Sequence, residues 1–147
     1  MTKWVGELLL KDLREWDVTI FRYFNPLGAH PSGHLRESYG PTLMPTLLRA
    51  IQTETPFTMY HCDTADGTGV RDYVHVQDVA DGHVRALERS QHEPGYRVYN
   101  LGTGTPYSVL DVVRAFERVL GRSIAHVHGP PRPGAVSYTH LRAHETK

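Results

Sequence analysis

The run Val18–Phe24, VTIFRYF, most constrains what this chain can fold into. Its β-branched and aromatic residues read as a largely buried strand, ended by Asn25, Pro26 and Gly28. In front of it Val5, Leu8, Leu9, Leu13 and Trp16 recur at helical spacing, with Glu7, Lys11, Asp12 and Arg14 between them. That period predicts an amphipathic helix over Thr2–Trp16. Helix, short turn and strand make an α/β unit.

The same alternation continues along the chain. A short helix is predicted over Leu43–Thr53, a strand over Phe57–Tyr60, and an extended piece over Arg71–Val76. Asp78 is expected to cap a helix running to about Ser90, because its carboxylate can accept from the unpaired amides of the first turn. Tyr96–Leu101 reads as a strand. Ser108 with Asp111 three positions on is a capping-box pattern opening a helix over Val109–Leu120, stopped by Gly121. Ile124–His128 is a last strand candidate. Two loops stand out: Gly28–Pro41, long and rich in Gly, Pro, Ser and His, and Cys62–Gly69, which carries Asp63, Asp66 and Gly67. Strands alternating with helices predict an α/β fold with at least some parallel pairing.

Composition narrows the function. The 147 residues hold 16 basic and 16 acidic side chains, so no net charge draws the chain to nucleic acid or an anionic membrane. No apolar run is long enough to span a bilayer. The start MTKWVGELLL lacks the apolar core of a signal peptide, and Cys62 is the single cysteine, so a cytoplasmic location is expected. His126 with His128, and His140 with His144, have spacings seen in ligand pairs, but no further ligands accompany them and no metal site is assigned.

Three blocks carry chemistry: RYFNPLGAHPSG at Arg22–Gly33, DGTGVRDYVHV at Asp66–Val76 and YNLGTG at Tyr99–Gly104. In this order and spacing they resemble the UDP-glucose 4-epimerases, of the extended short-chain dehydrogenase family, from Thr2 to about Gly134. The resemblance implies a remnant of a Rossmann-like doubly wound sheet plus a smaller α/β substrate domain. It implies NAD as cofactor, a UDP-sugar as substrate and a homodimeric parent enzyme in galactose metabolism. Residues 1–134 would be the C-terminal part of such an enzyme, the end of the dinucleotide-binding domain interleaved with the substrate domain. Residues 135–147 read as an unrelated tail, disordered or artefactual.

Residue by residue, Thr2, Lys3, Glu7 and Leu10 match the family's Tyr-Gly-x-Thr-Lys helix, placing Lys3 on the catalytic lysine. In the family the nearby ammonium lowers the tyrosine pKa, so that a phenolate can take the sugar C4 hydroxyl proton while hydride passes to NAD. Tyr23 and Pro26 match positions beside the nicotinamide, Lys3 contributes there as well, and Tyr23 also has the plain reading of strand core. Asn25 matches a residue on the UDP-sugar diphosphate, Arg71 and Tyr73 match the UDP-contacting pair, Tyr60 an aromatic against uracil, and Arg132 a second pyrophosphate arginine. A guanidinium fork suits bidentate phosphate binding.

The departures are specific. The tyrosine four residues before Lys3 and the glycine-rich pyrophosphate loop are not among the 147 residues. Thr42 stands where the family has an asparagine, and the loop His34–Gly40 is short. The expectation is therefore a piece of an epimerase, inactive by itself, binding NAD and UDP weakly or not at all. Its apolar faces on the first helix and strand would lie uncovered. The alternatives are a non-catalytic UDP-sugar-binding module and a piece of another nucleotide-sugar epimerase or dehydratase.

Overall fold

The computed structural model describes residues 2–37, 40–133 and Ser137. Four helices and seven strands alternate along them: α1 (Thr2–Asp12), β1 (Val18–Tyr23), β2 (Asn25–Leu27), α2 (Leu43–Thr53), β3 (Phe57–Tyr60), β4 (Val70–His75), α3 (Val76–Ser90), β5 (Tyr96–Leu101), β6 (Pro106–Ser108), α4 (Val109–Leu120) and β7 (His126–Gly129). β1 pairs in parallel with β5, β2 with β4, and β3 with β7; β6 adds to β4 antiparallel. This is a mixed α/β fold of Rossmann-like character.

α1 and α3 lie on opposite faces of β1, as in a doubly wound sheet, and cover it only in part. Because strand side chains alternate, Arg22 turns to α1, where its guanidinium grips Glu7 through two bonds of 3.0 and 2.5 Å. Phe21 turns the other way and meets His83 of α3, ring centroids 4.5 Å apart. The Arg22 bond holds the Glu7 carboxyl below the ordinary carboxylate range.

The packed core lies elsewhere. Leu47 and Ala50 of α2, Phe57 and Met59 of β3, Val113 of α4 and Ile124 before β7 form it, with Leu43, Ile51, Val109 and Phe116 against its rim. Phe57 and Met59 are one face of β3, which leaves Thr58 and Tyr60 on the other. α2 carries its core residues at helical spacing, and Glu54 closes it in the left-handed region at φ 53°.

Some expectations need correcting. β1 is not largely buried: Val18 is, while Tyr23 leaves the sheet edge 47% exposed. α1 ends at Asp12, and the Leu13–Trp16 stretch forms turns through Leu13 N–H to Leu10 O and Trp16 N–H to Leu13 O. His75, not Asp78, caps α3: its Nδ1 accepts from the Gln77 amide at 3.1 Å, which places Asp78 inside the first turn. The last strand starts at His126, with Ile124 packed in the core ahead of it. The stretch 135–147 lies outside the described residues apart from Ser137, whose carbonyl accepts from Val70 N–H at 3.0 Å.

Candidate functional site

Tyr60, Arg71 and Arg132 line one open cleft of about 410 Å³, together with Cys62, Gly69 and Met59. Tyr60 ends β3 on the face opposite the core, paired in register with Gly129 of β7. From Gly129 the chain continues through two prolines to Arg132, whose guanidinium carbon lies 3.7 Å above the Tyr60 ring centroid. A cation on an aromatic face is worth roughly 0.5–1 kcal/mol at an exposed site. Gly129 has no room for a side chain, since an added Cβ would sit 2.8 Å from Thr58 Cγ2. Arg71 reaches the cleft from β4, its Nη1 donating to Val70 O at 2.7 Å and to Ser137 O at 3.4 Å. The cleft thus joins an aromatic plane to two guanidinium groups, a combination suited to a planar base bearing anionic oxygens.

Two carboxylates make the surrounding loops rigid. Asp66 Oδ1 accepts from Thr68 N–H and Oγ1, both at 2.9 Å, and from Thr64 Oγ1 at 3.3 Å. The fully buried Thr68 in turn accepts from Leu110 N–H at 3.3 Å, tying this loop to the start of α4. Asp72 points to the opposite face of β4 from Arg71 and accepts from Thr103 N–H at 2.8 Å, Thr103 Oγ1 at 2.7 Å and Gly104 N–H at 2.8 Å. Burial raises the pKa of both acids, but the hydrogen bonds outweigh it and leave both lowered. Asp72 is therefore the anchor of the Gly102–Gly104 turn. Gly102 is required there: an added Cβ would lie 2.3 Å from the Phe24 ring and 2.7 Å from Asp72.

The other candidates sit apart from this cleft. Asn25 of β2 pairs with Tyr73 of β4, and its Nδ2 donates to Asp72 O at 3.4 Å. Tyr73 lines a second cleft of about 550 Å³ with Leu27, Met44, Tyr107 and Phe116, and burial pushes its phenol pKa up against the opposing charge of Arg71. Pro26 is exposed on β2. Tyr23 stacks on His83 at the end of β1, with a ring separation of 5.8 Å and planes 15° apart. Lys3 is exposed on the first turn of α1. Thr42 donates to Glu37 Oε1 at 2.6 Å.

The NAD dependent epimerase/dehydratase family matches residues 1–102, a span that includes every candidate except Arg132. The chain belongs to this family. Among its relatives, UDP-glucose 4-epimerase of Bacillus subtilis (strain 168) is 45% identical over 146 residues, which cover 92% of this chain and 43% of that protein. The Drosophila melanogaster UDP-glucose 4-epimerase is 43% identical over 148 residues, covering 92% of this chain and 42% of the fly protein. The crystal structure of UDP-glucose 4-epimerase from Stenotrophomonas maltophila, with bound NAD and formylated UDP-arabinopyranose, superposes with a TM-score of 0.82 at 39% identity, covering 93% of this chain and 44% of that one. The Bifidobacterium longum enzyme in complex with NAD+ and UDP gives 0.78 at 38% identity, over 93% of this chain and 42% of its own. The chain spans less than half the length of these epimerases.

Within this member of the epimerase/dehydratase family, sequence reasoning missed the anchoring role of Asp66 and Asp72 and the imidazole that Tyr23 meets. The sole signal for Asp72 was the Thr103–Gly104 pair in YNLGTG, 31 residues away. Among the described residues no three His, Cys, Asp or Glu side chains gather as a metal site needs, and no helix is long and apolar enough to cross a membrane. His126 and His128 stand with rings 6.5 Å apart and nearly perpendicular. His140 and His144 lie outside the described residues.

Proposed function

We propose that this chain carries the UDP-sugar side and part of the catalytic centre of a UDP-glucose 4-epimerase acting in galactose metabolism in the cytoplasm, the whole enzyme being a homodimer. The convergence of Tyr60, Arg71 and Arg132 on one cleft carries the reading. Tyr60 offers its ring to uracil, and the two guanidinium groups take the diphosphate; Asn25, which stands outside this cleft, would meet the diphosphate only from beyond it. Tyr73, behind Arg71 on the same strand, shapes the pocket beyond it. Arginine suits the task because its planar fork meets two phosphate oxygens at once.

The residues present fit the nicotinamide end of a dinucleotide. Tyr23 and Pro26 stand toward the C-terminal ends of parallel strands, where ligands of open α/β sheets collect. Bound NAD would supply the hydride acceptor and donor for the sugar carbinol. Lys3 would act electrostatically, its ammonium favouring the phenolate of a tyrosine one helical turn before it.

Calorimetric titration of the full chain with UDP tests the reading. We expect weak binding that falls on the order of tenfold or more in Arg71→Ala, the loss of a hydrogen bond to a charged group. Tyr60→Ala should also weaken UDP while leaving inorganic diphosphate less affected. A folded wild-type chain that gives no heat with UDP, or an Arg71→Ala chain that binds it equally well, would overturn the assignment.

A further inference from the structure

We propose that His83 is a positioning residue for Tyr23: it fixes the tyrosine side chain at the edge of β1 and turns the phenol oxygen outward as a hydrogen-bond acceptor. The consequence for a cofactor rests on the reading above, in which Tyr23 lies beside a nicotinamide. The pair itself stands on geometry. The Tyr23 hydroxyl is 2.8 Å from His83 Nε2, and the two rings lie 15° from parallel. On the other side of the imidazole, Nδ1 is 2.8 Å from the Val79 carbonyl oxygen, one turn back along α3. A carbonyl oxygen can only accept, so Nδ1 carries the proton of the neutral ring. Nε2 then has only a lone pair, and the Tyr23 hydroxyl must donate to it. A hydroxyl has one proton. With that proton directed at His83, the phenol oxygen offers only lone pairs to whatever approaches from solvent.

Packing alone would not hold Tyr23, which is 47% exposed. His83 is itself held. Phe21 meets its ring at 4.5 Å, and the preceding Gly82 presses α3 onto β5 so closely that an added Cβ would lie 3.3 Å from Leu101. The imidazole is thus fixed at Nδ1, at its face and at its backbone, and Tyr23 takes its orientation from Nε2. The ligand group selected by such an outward acceptor is an N–H donor, as in a carboxamide.

Nuclear magnetic resonance of the full chain, labelled in histidine and tyrosine, tests the pair without any ligand. The wild type should show the Nδ1–H tautomer at His83 and a single Tyr23 rotamer. His83→Phe keeps a ring for stacking but no acceptor. It should release Tyr23 to rotamer averaging, and His83→Gln, whose amide oxygen can reach the hydroxyl, should restore order. Tyr23→Phe should shift the His83 Nε2 resonance. A Tyr23 that stays fixed in His83→Phe, or an Nε2 signal unmoved by Tyr23→Phe, overturns the proposal. Titration with NADH addresses the cofactor reading separately. Weaker binding in His83→Phe that His83→Gln rescues supports the positioning role. NADH binding that is equal in the wild type, His83→Phe and His83→Gln rejects Tyr23 as a cofactor contact, while the tautomer and the single rotamer leave the clamp standing.

Discussion

Asp72 is a carboxylate only 7% exposed, and three donors from Thr103 and Gly104 surround it. Burial would raise its pKa; the hydrogen bonds reverse the sign and leave it lowered. The unfolded chain titrates near the ordinary aspartate value of about 3.9, so it binds the proton more readily than the folded chain does. Asp72 therefore contributes stability that is fully present above that value and is lost as pH falls through the lower folded pKa. Asp66 acts in the same direction. Urea unfolding followed from pH 7 down to pH 2 should show this loss, and Asp72→Asn should show less of it. At pH 7 that variant should be less stable by about 1–3 kcal/mol, the cost of disturbing a buried, fully bonded acceptor. Parallel pH profiles for the two proteins would mean that the carboxylate does not anchor the turn. Nothing local to Asp72 announces this role. Its donors lie 31 and 32 residues away, and only folding β4 beside the turn after β5 brings them together. Arg71 could be picked out for the opposite reason, since it sits within the DGTGVRDYVHV block; Tyr60 and Arg132 lie outside the three blocks, and one cleft gathers all three.

Elements were readable where their signals are local. α4 opens on reciprocal bonds, Asp111 N–H to Ser108 Oγ at 3.0 Å and Ser108 N–H to Asp111 Oδ2 at 2.9 Å, and closes on Gly121 at φ 67°. Both ends lie within four residues of their partners, so the spelling alone announces them. Ser108→Ala should cost about 1 kcal/mol in urea unfolding, and an unchanged midpoint would show that the box contributes nothing. α3 is different because an imidazole caps it, and the fit depends on the distant Gly28. That glycine has φ +102°, and an added Cβ would lie 2.5 Å from His75 Nε2. Gly28→Ala combines a disfavoured backbone region with displacement of the cap. It should cost about 1–3 kcal/mol and loosen hydrogen exchange in the first turn of α3. Protection there equal to the wild type would refute the coupling. β2 and β6 escaped the sequence because three residues are too few to display a period of two.

Across the whole molecule the packing is uneven. α2, β3, α4 and β7 enclose the apolar core, whereas α1 presents Trp4 and Leu9 at 62 and 65% exposure, the turn after it presents Trp16 at 67%, and α3 leaves Val84 and Leu87 outward. The helical stripe that predicted α1 is thus real as a period but is not covered within the described residues. Burying a large apolar side chain stabilises by about 1.5–3 kcal/mol, so several uncovered on one face make a strong drive toward association. The chain should self-associate with rising concentration in sedimentation or size-exclusion measurements. Leu9→Lys with Trp16→Lys should shift it toward monomer. Because both side chains are about two-thirds exposed already, the double variant should unfold in urea near the wild-type midpoint when compared at low concentration. The two measurements separate the effects. A double variant that associates as before would move the sticky surface away from α1, whereas one that turns monomeric but loses its midpoint would show that the stripe packs within the chain.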